Sequence, residues 1–288
     1  MNRENKKIAL IGGDMRQITA AEELKKYGYS VSMYGFDTYG DAKTKDLEIT
    51  LEGAEILLLP LPVFRGEYLN MPFSHEKLTG EMLISKIGEG VRLAVGGMFT
   101  AEFSEKLKQR GIALFDLCEN ERFNIMNSVP TAEGAAAIAM GNMKITISGC
   151  RAAVLGFGRI GKTLCRLLDG MGASVTAVSR SEKDLAQSEI FGFRSVSYAT
   201  LPVIAAEQDV IFNTVPHTVV TDEILSVMKK DSFVIDLASR PGGVDCQAAA
   251  RYGVRVISAL SLPGKVAPVT AGKIIAECIV KNLSEAGL

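Results

Sequence analysis

The chain has 288 residues, of which 47% are hydrophobic and 23% are charged, and its formal net charge is −1. This composition excludes a disordered chain, and the near-zero charge provides no basic field for nucleic acid. The N-terminal MNRENKK leads into a strand pattern, and no apolar run of about 18 residues follows, so we expect neither a secretion signal nor a membrane span. We therefore expect a cytoplasmic protein with room for two domains.

The cysteines and histidines argue against a metal site. The five cysteines are widely spaced without a C-x-x-C pair, and we expect them to be reduced and mostly buried: Cys118, Cys150, Cys165, Cys246 and Cys278. His75 and His217, the two histidines, stand in no metal-ligand spacing with Cys or acidic residues.

The N-terminal part alternates between strand and helix patterns. Strands are predicted at residues 7–11, 30–34, 55–59, 92–95 and 112–115, with a helix at about 17–27. Such alternation predicts a parallel sheet covered by helices on both faces. The first turn, Gly12-Gly13-Asp14-Met15-Arg16, lacks the spacing of a dinucleotide signature. We interpret residues 1–125 as a flavodoxin-like domain on the substrate side.

Residues 126–288 are predicted to form a second doubly wound parallel-sheet domain, of the Rossmann type. Thr131, after Pro130, is the predicted N-cap of a linker helix with the sequence TAEGAAAIAM. Further strands are predicted at residues 152–155, 174–178, 193–196, 209–213, 232–237 and 254–257. A Pro-Gly loop at 262–268 is predicted to precede a final helix at about 269–283, which can return to cover the first domain.

The most informative motif is G-x-G-x-x-G between the strand at 152–155 and an amphipathic helix. Its first glycine, Gly156, suits a tight turn, Gly158 lets the backbone approach a pyrophosphate, and Gly161 allows close packing of helix and strand. The free amides at the helix N-terminus favour the anion. A flexible glycine loop is the alternative, which the strand–turn–helix context disfavours. The motif predicts that these three glycines, with Phe157, Arg159 and Ile160, bind a dinucleotide.

The end of the next strand bears on which dinucleotide is bound. An acidic residue there hydrogen-bonds the ribose of NAD, whereas an arginine accommodates the 2′-phosphate of NADP. The sequence places Ser179-Arg180-Ser181 at this position, which predicts NADP over NAD. The alternative is that Arg180 is an ordinary solvated charge after a strand.

Ligands of open α/β sheets bind beyond the carboxyl ends of the strands, so the loops there contain the candidates for catalysis. His217 is the histidine in such a loop, and a free imidazole, with a pKa of about 6.5, suits proton transfer at neutral pH. A histidine that only caps the loop is an equal alternative. Thr214 and Pro216 of the same loop are predicted to line the cofactor.

Cationic side chains in the remaining loops are candidates for substrate carboxylates. Arg240 and Lys265 follow the last two strands of the second domain, Ser239 precedes Arg240, and Arg16 follows the first strand of the chain. Arg240 serves equally well as a brace of the Pro-Gly-Gly turn. Arg65 and Arg122 are further candidates by position, and for Arg16, Arg65 and Arg122 alike a plain surface charge is the simpler interpretation.

The segments ALIGGDMRQ, VLGFGRIG, NTVPHTVV, VIDLASRPGGVD and SLPGKVAPVTAG together resemble the A subunits of dipicolinate synthase from spore-forming bacteria. The resemblance covers essentially the whole chain. The two-domain alanine dehydrogenases and D-2-hydroxyacid dehydrogenases share its glycine turn. The hydroxyacid dehydrogenases use an arginine, a glutamate and a histidine. Here the loop 237–245 has one residue more and Leu262-Pro263-Gly264 lacks their terminal histidine, so that triad is not carried over.

The resemblance implies oxidation of dihydrodipicolinate to dipicolinate with NADP, in the mother cell of a sporulating bacterium. It also implies a partner resembling a flavin-binding decarboxylase, the B subunit, and a homo-oligomer is compatible with it. Two alternatives stay open at this point. One is a dehydrogenase of another small amino or hydroxy acid, and the other is a protein in which the dinucleotide is structural or regulatory.

Overall fold

The computed structural model describes residues 6–40 and 46–285. Their contacts divide the chain into two compact units. The first unit contains the residues up to Met126 together with those from Pro268 onward, and the second unit is Asn127–Ala267. The C-terminal helix follows the second domain in sequence, and by its contacts it is grouped with the first unit, to which the sequence pattern allowed it to return.

The first unit is built on a five-stranded parallel sheet. Its elements up to residue 116 are β1 (Lys7–Ile11), α1 (Met15–Lys26), β2 (Ser30–Tyr34), α2 (Leu47–Leu51), β3 (Ile56–Leu58), β4 (Phe64–Arg65), β5 (Tyr68–Leu69), α3 (Gly80–Lys86), β6 (Leu93–Gly96), α4 (Ala101–Gln109) and β7 (Ala113–Asp116). The strand order is β2-β1-β3-β6-β7, and β4 with β5 forms a separate antiparallel hairpin. Order reverses between β1 and β3, where open α/β sheets bind ligands.

The second unit is built on a six-stranded parallel sheet. The remaining elements of the chain are α5 (Glu121–Asn142), β8 (Arg151–Leu155), α6 (Arg159–Gly170), β9 (Ser174–Val178), α7 (Glu182–Ile190), β10 (Arg194–Val196), α8 (Leu201–Ala205), β11 (Val210–Asn213), α9 (Asp222–Val227), β12 (Phe233–Asp236), α10 (Cys246–Tyr252), β13 (Arg255–Ser258), α11 (Leu262–Val266) and α12 (Pro268–Glu285). The order β10-β9-β8-β11-β12-β13 is that of a Rossmann sheet, which reverses between β8 and β11.

The central strands contain continuous apolar runs because both faces of each sheet are covered. In the second unit, Ala152 to Leu155 and Val210 to Phe212 are fully buried. One hydrophobic cluster lies on each face of this sheet, and the first unit repeats the arrangement. The predicted α/β class with two doubly wound parallel sheets is confirmed, and the predicted strand ends lie within one residue of those observed. Among the described residues, no helix has the length and apolarity needed to cross a membrane.

Helix α12 packs against α1 in the first unit. The two helices approach closely at Gly272, where an added Cβ would lie 2.5 Å from the Arg16 carbonyl oxygen and 2.6 Å from Thr19 Cβ. A larger residue at position 272 would therefore force α12 away from α1, the helix that carries Arg16. Ile275 and Ile279 of α12 are buried in the same cluster as the α1 core residues.

Two sequence predictions about helices were wrong. Helix α5 begins at Glu121 rather than at Thr131, and it continues through Pro130. Thr131 is an interior residue whose hydroxyl donates to the Asn127 carbonyl at 2.8 Å. Burial of alanines on the following two turns, such as Ala132 and Ala136, offsets the helix bond that proline removes.

The second error concerns the predicted Pro-Gly loop at 262–268. Its first five residues form the short helix α11, with Pro263 in the first turn, where a missing N–H costs little. Leu262 and Pro263 are buried, so packing rather than propensity decides this segment.

Candidate functional site

The glycine turn between β8 and α6 has the geometry that its spacing predicts. Gly156 has a φ of +89°, and an added Cβ would lie 2.5 Å from Thr214 Oγ1. A Cβ on Gly161 would lie 1.9 Å from the Gly156 carbonyl oxygen, so the start of the helix packs directly on the end of the strand. Neither position admits a side chain without a shift of backbone or neighbours.

Gly158 differs from the other two glycines because its surroundings are open. It is the N-cap of α6, with φ −81° and ψ −160°, and an added Cβ would meet nothing within 4 Å. Gly158 has no side chain with which to cap this helix, and the first turn of the helix contains no acidic residue. The first amides of α6 therefore have no intrahelical acceptor and face an approachable glycine, an arrangement that fits the diphosphate of a dinucleotide.

The neighbouring residues of the motif contribute mainly to packing. Phe157 is buried, with its ring 6.2 Å from those of Phe191 and Phe193. Ile160 also packs against the core of the unit. Arg159 is exposed on the first turn of α6. Of these predicted cofactor residues, Phe157 is thus placed to offer its backbone rather than its ring.

The loop after β11 lies beside the glycine turn at the point where strand order reverses. Leu155 and Asn213 are aligned in register, and the Thr214 hydroxyl donates to the Leu155 carbonyl at 2.8 Å. Pro216 and His217 follow and are exposed. Within the second unit, the His217 side chain makes no hydrogen bond or ion pair with a described residue.

A buried polar pair, Asn213 and Asp236, joins the loops after β11 and β12. Asn213 Nδ2 donates to Asp236 Oδ1 at 2.8 Å and to the Val215 carbonyl at 3.0 Å. The other carboxylate oxygen of Asp236 accepts from the Gly243 amide at 3.0 Å. This network holds both loops at the carboxyl edge of the sheet.

Sequence reasoning placed Asn213 and Asp236 at the loop starts without assigning them a role. The available signal was a polar residue closing each of two adjacent buried strands. Gly243 is required beside them, because its added Cβ would lie 2.2 Å from Asn213 Nδ2 and 2.9 Å from the His217 carbonyl oxygen. The loops that carry His217 and Arg240 are therefore bonded to each other, since Val219 and Val220 donate to the Gly243 carbonyl.

The cationic candidates of the second unit all lie at this edge. Ser239 and Arg240 are exposed in the loop after β12. Lys265 is exposed in the last turn of α11, after β13, and β13 is paired with β12. The structure gives these side chains no protein partner among the described residues, and their roles stay predictions.

The three predicted cofactor residues after β9, Ser179, Arg180 and Ser181, differ in their contacts. Ser181 caps α7 by accepting from the Asp184 amide at 3.4 Å, and the buried Ser179 hydroxyl donates to Asp184 Oδ2 at 3.3 Å. Arg180 between them is exposed. The two serines thus hold the backbone while the guanidinium stays accessible.

Tyr198 is a candidate that sequence reasoning missed. It lies just after the edge strand β10, and its buried hydroxyl has no hydrogen-bond partner among the described residues. Burial raises the pKa of Tyr198 to about 12, and the nearby positive charge of Arg180 opposes this shift. The hydroxyl therefore stays protonated at neutral pH, and it lies near the one side chain predicted to recognise a phosphate.

In the first unit, Arg16 lies where strand order reverses between β1 and β3. Its guanidinium is buried and pairs with Asp14 through Nε and Nη2, at 2.9 and 2.8 Å, and Nη2 also donates to the Leu61 carbonyl at 2.5 Å. Asp14 is at the same time the N-cap of α1, in a capping box with Gln17. Arg16 thus already has a carboxylate partner, and only Nη1 lacks a bond among the described residues.

Arg65 and Arg122 are the other two arginine candidates of the first unit, and both are exposed. Arg65 is exposed on the hairpin strand β4, and Arg122 is exposed in the first turn of α5. The described cysteines are free thiols, and burial raises the pKa of Cys118 and of Cys150 to about 11. In the described part of the chain, no three His, Cys, Asp or Glu side chains converge as metal ligands would.

Comparison with known proteins agrees with this architecture. The family profile described as the N-terminal domain of the dipicolinate synthase A subunit matches residues 7–118. The profile described as D-isomer specific 2-hydroxyacid dehydrogenase, NAD binding domain, matches residues 128–251. The second unit is therefore a nicotinamide-dinucleotide-binding domain of the dehydrogenase type.

Whole-chain relatives agree with the two profiles. The dipicolinate synthase A subunit of Bacillus subtilis (strain 168) is 32% identical over 285 residues, which cover 97% of this chain and 96% of the relative. The crystal structure of the dipicolinate synthase A subunit from Bacillus halodurans has a TM-score of 0.87 at 33% identity and covers 96% of this chain and 97% of that one. An L-alanine dehydrogenase, at 15% identity and a TM-score of 0.65, covers 98% of this chain and 90% of its own and shares the fold alone. The chain belongs to the family of dipicolinate synthase A subunits.

Proposed function

We propose that the protein is the A subunit of a dipicolinate synthase and oxidises dihydrodipicolinate to dipicolinate with NADP. We place it in the cytoplasm of the mother cell of a sporulating bacterium, where its partner is a flavoprotein-like B subunit. The observation that carries the proposal is the open N-terminus of α6 at Gly158, in a chain that matches a dipicolinate synthase A subunit over 97% of its length.

Forming the aromatic ring removes a hydride from one carbon of the substrate and a proton from its neighbour. The nicotinamide, when bound, supplies the hydride acceptor. The chain's own part is to hold the diphosphate at the amides of α6 and to place the loops after β11 and β12 beside it. The Asn213–Asp236 network supports this, because it fixes both loops at the edge where the strand order reverses.

We assign the removal of the substrate proton to His217. Its ring is exposed in the loop after β11 and makes no bond to another described residue of its unit, so both ring nitrogens are accessible to a substrate. If His217 is the base, His217→Ala slows turnover by about 100-fold or more while NADPH binding is unchanged. Steady-state rates of the variant, measured with the B subunit present, check this, and an unchanged rate removes His217 from the mechanism.

The substrate carboxylates require cations. Arg240 and Lys265 are exposed at the edge that carries His217, and Ser239 adds a hydroxyl donor. Arg16 is proposed as a further ligand through Nη1, because Nε and Nη2 are already bound to Asp14 and Leu61. Holding a substrate carboxylate on the cations of the edge that carries His217 orients the ring for loss of both hydrogens.

We infer that Arg180, assisted by the Tyr198 hydroxyl, selects NADP. The support is an exposed guanidinium beside a protonated, buried hydroxyl that has no described partner. Arg180→Asp is expected to weaken NADPH binding by about 10- to 100-fold and to leave NADH binding nearly unchanged, since only the 2′-phosphate is repelled. Titration of the wild type and the variant with both nucleotides measures this. Tighter binding of NADH than of NADPH by the wild type contradicts the inference.

Reduced-nicotinamide absorbance tests the function itself. Supplied with dihydrodipicolinate and NADP, the protein with its B subunit is expected to form one NADPH for each dipicolinate. Nucleotide binding without NADPH formation would instead indicate a structural or regulatory dinucleotide. Turnover of a small amino or hydroxy acid in preference would indicate another dehydrogenase.

A further inference from the structure

Two non-glycine residues in the described chain have a positive φ, Met98 and Ser261, each at 59°. Each follows a strand at the carboxyl edge of its own sheet. An L side chain in this conformation is strained, and such strain persists where the surrounding structure imposes it, often at ligand sites. Met98 is also 61% exposed, so burial of its side chain offsets little of that strain.

The backbone at Met98 is held by Asp116, the last residue of β7. The Met98 and Phe99 amides each donate to the Asp116 carboxylate at 3.2 Å, and the Cys118 amide donates to it at 2.8 Å. The preceding residue, Gly97, packs so closely that an added Cβ would lie 1.8 Å from Leu61 Cδ1. These contacts fix the conformation of the turn, but they involve only the backbone of Met98.

The same turn lies next to Arg16. Leu61, which packs on Gly97, is the residue whose carbonyl accepts from Arg16 Nη2. Cys118 Sγ would lie 3.2 Å from a Cβ on Gly97, and the positive charge of Arg16 acts on the Cys118 thiol. The exposed thioether of Met98 and the guanidinium of Arg16, which is bonded through two of its three nitrogens, therefore lie at the same edge of the first sheet.

We propose that Met98 forms the apolar wall of the acid-binding site around Arg16 and contacts the ring of a planar cyclic carboxylic acid. This inference rests on the proposed function and names a specificity residue for it. Glycine at position 98 would adopt the same backbone conformation without strain, so we attribute the presence of methionine to a role of its side chain. A polarizable, flexible thioether packs favourably against an unsaturated ring, whereas an open-chain acid offers it no such surface.

The test is calorimetric titration of the full-length chain, saturated with NADPH, with dipicolinate and with glutarate, an open-chain diacid. Met98→Gly is expected to weaken dipicolinate binding by about 5- to 10-fold and glutarate binding by less than about 2-fold. Met98→Leu restores most of the dipicolinate affinity. The control Met140→Ala removes a methionine that is 58% exposed on α5 and changes neither affinity.

NADPH affinity and the melting temperature separate this role from a structural one. Neither is expected to fall in Met98→Gly, because the substitution relieves backbone strain. Dipicolinate binding by Met98→Gly within about 2-fold of the wild type, or an equal loss for glutarate, overturns the inference while the proposed function stands. A wild-type chain that binds NADPH but no dipicolinate contradicts the proposed substrate, and the inference fails with it.

Discussion

The first turns of the two sheets have similar backbones and opposite electrostatics. In each unit the first strand of the sheet is followed directly by a glycine of positive φ, Gly12 or Gly156, and then by a helix. The N-cap residues have similar angles, φ −109° and ψ −163° at Asp14, and φ −81° and ψ −160° at Gly158. The Asp14 carboxylate accepts hydrogen bonds from the first amides of α1, whereas Gly158 has no side chain that could accept from those of α6.

The comparison shows that one residue type decides whether such a turn is available to an external anion. The Asp14 carboxylate caps the first amides of α1 and pairs with Nε and Nη2 of Arg16, so these amides are closed to an external anion, while Nη1 of Arg16 has no bond among the described residues. Gly158 leaves the amides of α6 to a ligand. Topology places both turns where strand order reverses, but the N-cap side chain decides which of them can hold a diphosphate.

The largest effect is expected from opening the closed turn. Asp14→Ala removes the N-cap and leaves the buried Arg16 guanidinium with one carbonyl partner, which is expected to lower the unfolding free energy by about 3 kcal/mol. Denaturant unfolding of the full chain measures it. Thr100→Ala removes the cap of α4, whose hydroxyl accepts from Phe103 N at 3.3 Å, and is the control with an expected loss of about 1 kcal/mol. Equal losses in the two variants contradict a role for Asp14 beyond capping.

The next effect is expected from closing the open turn. Gly158→Asp gives α6 the cap that α1 has, so it is expected to weaken NADPH binding by about 100-fold, or about 2.7 kcal/mol, without loss of stability. Calorimetry and thermal unfolding measure the two quantities. Gly158→Ala fills the same open space without charge and serves as the control, with a smaller loss of affinity. If Gly158→Asp binds NADPH as the wild type does, the diphosphate does not lie at this turn.

The smallest effect is expected at the amino edge of the second sheet, opposite the edge that carries the glycine turn. Burial raises the pKa of Asp209, but hydrogen bonds from the Arg151 amide and Lys229, both at 2.8 Å, outweigh it and lower the pKa below the ordinary 3.8. The pair therefore stabilises the fold above about pH 4, and this stabilisation is lost as the pH falls through the lowered value.

Asp209→Asn keeps an oxygen for the Arg151 amide and removes the ion pair. We expect a loss of about 0.5–1 kcal/mol at pH 7, a difference from the wild type that shrinks on acidification, and unchanged NADPH affinity. Urea unfolding at pH 7 and pH 3 measures this. A loss of stability that grows as the pH falls would show that the sign of the linkage is wrong.

The alternation of strands and helices and the glycine turn could both be predicted from the sequence alone. Strands buried on both faces are continuous apolar runs, and the positions of Gly156 and Gly161 each exclude a side chain, so the pattern is local and can be recognised. His217, Arg240 and Lys265 were located at the carboxyl edge for the same reason, since that edge follows from strand direction alone.

Features that depend on contacts between residues distant in sequence could be recognised only in the folded chain. Helix α5 continues through Pro130 because its alanines are buried in the hydrophobic core of the second unit, which helix propensity does not show. The pairing of Asn213 with Asp236, the buried Tyr198 hydroxyl that no described residue bonds, and the strained backbone of Met98 all depend on which strand ends lie side by side. Arg16 was recognised as a candidate from its position. Only the fold showed that Asp14 already occupies most of its guanidinium, because hydrogen bonds and burial are properties of the packed chain rather than of the sequence pattern.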